Sequence, residues 1–382
     1  MAAGVTAQEL HARYQGTFGR VGGYLPRNPL AIDEFQRGLA QRAADLKDDL
    51  DPAVREFAEM VHSDGIVRMY VSQMLQEVPE EHRHVRSVDE LIQHLNVVVG
   101  WAPSYNRDLL KQIFLPMSAL FGYMRLTPSG AVVFRNQAFG ERIDAILGKW
   151  CTYLDSAESA HVLNTRDWFS QPAVELDRLY GYECWDHRGE EHWGFPSFNA
   201  FFHRAIKKDF RPLAGKDDPS SAFVGGDVYQ AFLSVNSYHR WHVPVDGTIE
   251  HLEIVKGYPF SHVESASPGP AAFSHSQGYR ANIGTRGLAF IRTGSELGHR
   301  VVCAVVIGME EVSSISWAPG VEVGATVSRG QELGWFSYGG SSMALVFQQG
   351  VVDEFTVPVT DPGRHPDDGP TVFVNSQIAR AR

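Results

Sequence analysis

Cysteine is scarce in this chain, with three residues among 382, at Cys151, Cys184 and Cys303. That is too few and too scattered for a disulfide framework or a zinc site, and it suits reduced thiols inside a cell. A basic excess is also missing. Lys and Arg number 34 against 45 Asp and Glu, a formal net charge of -11. This balance argues against nucleic acid as a primary partner and disfavours electrostatic docking on anionic lipid. No stretch approaches the ~18 uninterrupted apolar residues of a membrane-spanning helix. Met1-Ala2-Ala3-Gly4-Val5-Thr6 lacks the basic-then-apolar pattern of a signal peptide. A soluble, cytoplasmic protein without an integral membrane segment is expected.

What the chain does have is length and pattern. Its 43% hydrophobic and 21% charged residues describe a globular protein, and 382 residues suit about two domains. Apolar residues three and four apart predict helices over Leu30–Phe35, Val54–Val61 and Val88–Leu95, the last with Ser87 and Glu90 as a capping box. Further helices are expected over Phe139–Leu154, Ala173–Tyr180 and Phe198–Lys208. The character changes after Arg211-Pro212, where Lys216-Asp217-Asp218-Pro219-Ser220-Ser221 reads as a polar connector. Strands are predicted over Tyr229–Leu233, Thr248–Ile254, Leu288–Ile291, Val301–Ile307, Glu311–Trp317, Leu333–Phe336 and Ala344–Phe347. Pro268-Gly269-Pro270 marks a long loop. The expectation is an α+β protein, with a helical N-terminal domain over 1–195 and a mainly β domain over 196–382.

Two segments could carry chemistry. Gly339-Gly340-Ser341-Ser342 joins two strand-like apolar runs with almost no side-chain bulk. Glycines permit strained or positive-φ backbone, and a serine hydroxyl can then reach a neighbouring carbonyl carbon, as a self-cleaving peptide requires. The same four residues also suit a plain tight hairpin. Tyr238-His239-Arg240-Trp241-His242 places two histidines three apart on an extended segment, where they do not obviously share a face. No carboxylate spacing nearby completes a zinc or iron site. Solvated histidines on an aromatic edge strand are one reading, and a base for a nearby serine is the other. The glycines of Gly320–Gly334 are spaced as in a small barrel-sandwich fold, which would equally suit a biotinyl or lipoyl carrier. A carrier needs a modifiable lysine at a hairpin tip, and no lysine follows Lys256.

Taken together, three motifs resemble the phosphatidylserine decarboxylase superfamily. They are Phe198-Asn199-Ala200-Phe201-Phe202-His203-Arg204 with Arg211-Pro212, Tyr238-His239-Arg240-Trp241-His242-Val243-Pro244-Val245-Asp246-Gly247, and Arg329-Gly330-Gln331-Glu332-Leu333-Gly334 ahead of the Gly-Ser turn. Phe223–Gly226, Val228–Ser234, Ser276–Tyr279 and Gly308–Ser313 are similar to a branch that includes fungal tryptophan decarboxylases, whose members carry an added helical domain. Val99–Pro103 and Leu115–Met117 resemble that helical domain as well.

The resemblance implies cleavage between Gly340 and Ser341, with Ser341 converted to a covalent pyruvoyl group and no external cofactor. That ketone would take up a substrate amine and serve as the electron sink for loss of carbon dioxide. His242 matches the family's base position, and His239 matches a histidine near the substrate. The implied function is decarboxylation of a free L-amino acid, aromatic first. The alternatives are phosphatidylserine decarboxylation with peripheral lipid contact, and a non-catalytic homologue that no longer matures. Two cleaved chains that stay together, and a homodimer, are the implied assembly. The resemblance departs at one point. The family's orienting carboxylate lies in a Pro-x-Asp-Gly-like or Cys-Glu-Ser segment between the Arg-Pro and the Tyr-His-Arg run, and none stands here. Asp227 and Asp246 are the nearby acids that could substitute.

Overall fold

A computed structural model describes residues 29–46, 49–106, 112–170, 181–207, 228–233, 238–258, 260–261, 281–309, 311–312, 314–348, 351–357, 372 and 374–381. The expected helix over Ala173–Tyr180, the connector at Lys216–Ser221, the loop at Pro268–Pro270, and Asp227 lie outside the described residues.

The first half is helical, with α1 Pro29–Asp45, α2 Pro52–Ser63, α3 Gly65–Glu77, α4 Val88–Val98, α5 Pro116–Leu120, α6 Pro128–Val133, α7 Gln137–Leu154 and α8 Phe198–Phe202. Local chemistry sets their starts. Asp51 accepts from the Ala53 N–H with Pro52 opening α2, Asp64 accepts from Ile66 and Val67, and Asn136 accepts from Phe139. Ser87 accepts from Glu90 N–H at 3.1 Å, while the Glu90 carboxylate takes the Arg86 N–H at 2.7 Å, one residue outside the usual reciprocal partner. Val54, Phe57 and Val61 of α2 form one buried face, which packs against α7 through the Phe57–Phe139 ring pair at 5.4 Å. Each such fully buried side chain contributes about 1.5–3 kcal/mol.

The predicted helix from Phe198 stops at Phe202. Beyond it the backbone turns to pair with an upstream segment, with Glu183 N–H donating to Ala205 O and Lys207 N–H to Gly181 O. Those cross-chain bonds replace the helical ones.

The second half is built from β1 Val228–Leu233, β2 Arg240–His242, β3 Gly247–Val255, β4 Arg286–Thr293, β5 Val301–Met309, β6 Ile315–Trp317, β7 Thr326–Val327, β8 Glu332–Phe336, β9 Gly340–Phe347, β10 Val352–Phe355 and β11 Ala379–Ala381. The protein is α+β. A six-stranded antiparallel sheet has the order β1-β9-β5-β4-β3-β7, a three-stranded sheet the order β2-β8-β6, and β10 pairs with β11.

Two expectations change here. The run Glu311–Trp317 is a strand only over Ile315–Trp317, because the chain leaves the six-stranded sheet after Met309 and joins the three-stranded one. The Gly339–Ser342 stretch is not a hairpin turn. Gly340, Ser341 and Ser342 lie inside β9, and β8 and β9 belong to different sheets.

Two large apolar cores result, beside a small third cluster of Ile307, Met309 and Ala344. One gathers the helices together with Phe198, Phe201, Phe202, Phe260 and Tyr338, and the other fills the space between the sheets around Trp241, Ile249, Leu333 and Phe336. Tyr338, three residues before Ser341, thus packs among the helices rather than with the strands around it.

Candidate active site

Ser341 sits near the start of β9, opposite Leu233 of β1 and Gly308 of β5. A central strand has both edges hydrogen-bonded, so its backbone is fixed, and successive side chains point to opposite faces. The two serines accordingly part ways. Ser342 donates to Ala231 O at 3.1 Å and accepts from Gln230 Nε2 at 3.0 Å, and is held by β1. The Ser341 hydroxyl lies 3.2 Å from His239 Nδ1. Both residues are shut off from solvent, Ser341 at 0% and His239 at 1% exposure.

His239 is positioned from two directions. Its carbonyl accepts from Phe336 N–H at 3.0 Å, and its ring stacks on Phe202 of α8 with centroids 4.0 Å apart. Nδ1 accepts the Ser341 O–H in the tautomer that carries the imidazole proton on Nε2, and in that tautomer it can act as a base.

His242 stands in a different set of bonds. Its Nδ1–H donates to Gly330 O at 2.9 Å, and its Nε2 accepts from the Tyr238 hydroxyl at 2.9 Å. Burial pushes its pKa below the ordinary value and holds the ring neutral. Burial likewise raises the Tyr238 hydroxyl. The structure therefore brings His239 to Ser341 and commits His242 to Gly330 and Tyr238. Asp246 is exposed, and its carboxylate takes the Arg329 N–H at 2.7 Å.

The motifs interlock for physical reasons. Arg240 donates from Nη1 to both Glu332 carboxylate oxygens at 2.6 Å, and from Nε to His203 O at 2.6 Å. With the His242–Gly330 bond, this ties the Tyr-His-Arg run to the Arg-Gly-Gln-Glu run. Gly334 leaves room for the Trp241 ring, which a Cβ there would strike. The Phe-Asn-x-Phe-Phe motif reaches the same place from the helical side. Asn199 accepts the Tyr338 N–H at 3.2 Å and donates to Asp155 at 2.9 Å.

The bond between residues 340 and 341 is approached through an unusual backbone. Gly339 has φ +146°, and a Cβ there would collide with the backbone of Glu311 and Val312. Only glycine fits both conditions.

Glu311 is a residue that sequence reasoning left without a role. It is fully buried, its carboxylate accepts the Ser118 N–H at the start of α5, and its charge adds to burial in raising the Tyr338 hydroxyl. Its signal in the sequence is its place in the Gly308–Ser313 segment, which is similar to the decarboxylase branch.

Two sequence profiles, both described as phosphatidylserine decarboxylase, match residues 51–176 and 204–374. The decarboxylase iboD of Amanita muscaria is 32% identical, over 70% of this chain and 91% of the relative. An L-tryptophan decarboxylase of Psilocybe cubensis is 26% identical, over 89% of this chain and 91% of the relative. A phosphatidylserine decarboxylase proenzyme of Coxiella burnetii is 25% identical, over 50% of this chain and 84% of its own. One profile covers most of the helical half and the other includes both His239 and Ser341, and the chain is a decarboxylase belonging to the phosphatidylserine decarboxylase family.

Proposed function

We propose that the chain cuts itself between Gly340 and Ser341, carries a pyruvoyl group at position 341, and decarboxylates a free aromatic L-amino acid of the tryptophan type. The observation that carries this reading is the buried His239–Ser341 pair at 3.2 Å, set beside a glycine at φ +146°.

A serine hydroxyl is a weak nucleophile, and His239 Nδ1 is placed to take its proton. Ser341 Oγ then attacks the Gly340 carbonyl carbon, the peptide C–N bond breaks, and the proton passes to the leaving amine. The product is an ester. Loss of the Cα proton and of the Gly340 carboxylate leaves dehydroalanine, which water converts to the pyruvoyl group and ammonia. The residues present suit that group, since Ser341 is fixed by both neighbouring strands and enclosed on every side. When present, it supplies a ketone that draws electrons from the substrate Cα as carbon dioxide leaves. His239 stands beside the same position to return a proton to that carbon.

Cleavage gives chains of residues 1–340 and 341–382. They stay together because β9 of the small chain lies between β1 and β5 of the large one. Among the described residues, no helix is long and apolar enough to cross a membrane. Cys151 and Cys303 are buried, and burial pushes the Cys303 thiol up to about 11. Such unreactive reduced thiols suit the cytoplasm.

The lipid reading is less favoured. Relatives named for tryptophan match 89% and 94% of this chain, and those named for phosphatidylserine match 37% and 50%. The test is carbon dioxide release from the cleaved protein with each aromatic amino acid and with phosphatidylserine vesicles. Release from an aromatic amino acid alone supports the proposal. Release from the vesicles alone overturns it.

A further inference from the structure

Ser341 is fully enclosed in the uncut chain, so no substrate amine reaches position 341 while the chain is arranged this way. Something beside it has to leave. The segment that cleavage releases is the new C-terminus at Gly340, and the first large side chain on it is Tyr338.

Tyr338 occupies a cage of the kind an aromatic ligand requires. Its ring meets Phe202 at 4.8 Å, Phe198 at 5.2 Å and Trp150 edge-on at 5.6 Å. Its hydroxyl donates to Phe114 O, and the charge of the buried Glu311 carboxylate helps to raise its pKa. The cage adjoins the reacting position, because the Phe202 ring that touches Tyr338 also stacks on His239, the partner of Ser341. Before cleavage the tyrosine is held by the continuous backbone, by the Asn199 bond to its N–H and by its packing. After cleavage it is the third residue from a free end, with two glycines beyond it and no covalent link to Ser341.

We propose that Tyr338 is a built-in plug, and that the cage of Trp150, Phe198 and Phe202 is the pocket for the substrate's aromatic side chain once cleavage lets the plug swing out. The inference rests on the proposed function above and adds the pocket and its chemical preference. The departing tyrosine takes away the O–H that Phe114 O accepted, so the pocket favours a ring with an O–H or N–H donor at its far end. A ring that restores that hydrogen bond is favoured over one that cannot by about tenfold. Indole and phenol rings are the fitting class, and a plain phenyl ring is not.

The test uses p-cresol, indole and toluene as ring probes, measured by calorimetry on the cleaved protein and on the uncut Ser341→Ala chain. p-Cresol and indole are expected to bind the cleaved protein but not the uncut one, with toluene at least about tenfold weaker. Hydrogen exchange supplies a readout independent of the variant. Amides of residues 335–340 should exchange faster in the cleaved protein than in the uncut chain. p-Cresol should also raise the KM for the aromatic amino acid without changing kcat. Equal binding to both forms, toluene as good as p-cresol, or unchanged protection of residues 335–340 overturns the plug. If the cleaved protein releases carbon dioxide from aromatic amino acids yet binds no ring probe, the plug falls and the function stands. If it binds the probes in the expected order yet decarboxylates no amino acid, the proposed function falls instead.

Discussion

Replacing His239 and His242 by alanine, one at a time, separates a base from a structural histidine. His239 Nδ1 lies 3.2 Å from Ser341 Oγ, and a general base at that distance is worth about 10²–10⁴ in rate, or roughly 3–5 kcal/mol of barrier. His239→Ala should therefore slow self-cleavage by that factor. It also loses the stack on Phe202 at 4.0 Å, an aromatic pair worth about 0.5–1.5 kcal/mol, which lowers stability without unfolding a protein of ordinary stability. His242→Ala removes bonds to Gly330 O and from the Tyr238 hydroxyl, each 2.9 Å, and leaves both groups half-buried without those partners. The expected cost is about 2–3 kcal/mol of folding stability, with cleavage slowed less than about tenfold. The assay follows the cut fraction on denaturing gels over time, beside urea midpoints for the same samples. Normal cleavage in His239→Ala together with a block in His242→Ala would refute the assignment.

Other outcomes follow from the same geometry. Gly339→Ala should prevent cleavage or folding of the β8–β9 connection, since φ +146° and the clash with Val312 add about 1–3 kcal/mol of strain or more; intact mass reports the uncut chain. Burial lowers the pKa of His94, His242 and His203, the last to about 4 with a contribution from Arg240. The unfolded chain binds protons that these folded histidines refuse, so their contribution is complete above about pH 6.5 and is lost as pH falls toward 4. Thermal midpoints should fall across that window, and His203→Asn should flatten the fall. Arg240→Met should cost about 2 kcal/mol in urea, because the Glu332 carboxylate and His203 O both lose a charged donor.

Much of the fold could be read from the residues because its signals are local. The 3.6-residue spacing of Val54, Phe57 and Val61 and the cap at Ser87 act within a turn or two of chain. The site depended on contacts across the chain. Gly339-Gly340-Ser341-Ser342 has the local composition of a turn, and it became strand because β1 and β5, distant in sequence, take up its backbone groups. The register of β2 shifts between Trp241 and His242, so strand alternation does not tell which of His239 and His242 meets Ser341, and the contacts of His239 with Phe202 and of His242 with Gly330 and Tyr238 do. The role of Asn199 was equally hidden, because its partners Asp155 and Tyr338 lie 44 and 139 residues away.

The central claim is that this chain matures at position 341. Intact mass spectrometry of the purified, denatured protein tests it most directly. The account predicts two chains, residues 1–340 and a C-terminal chain lighter by one ammonia than the same chain starting with serine. A single uncut chain of 42.5 kDa would contradict it.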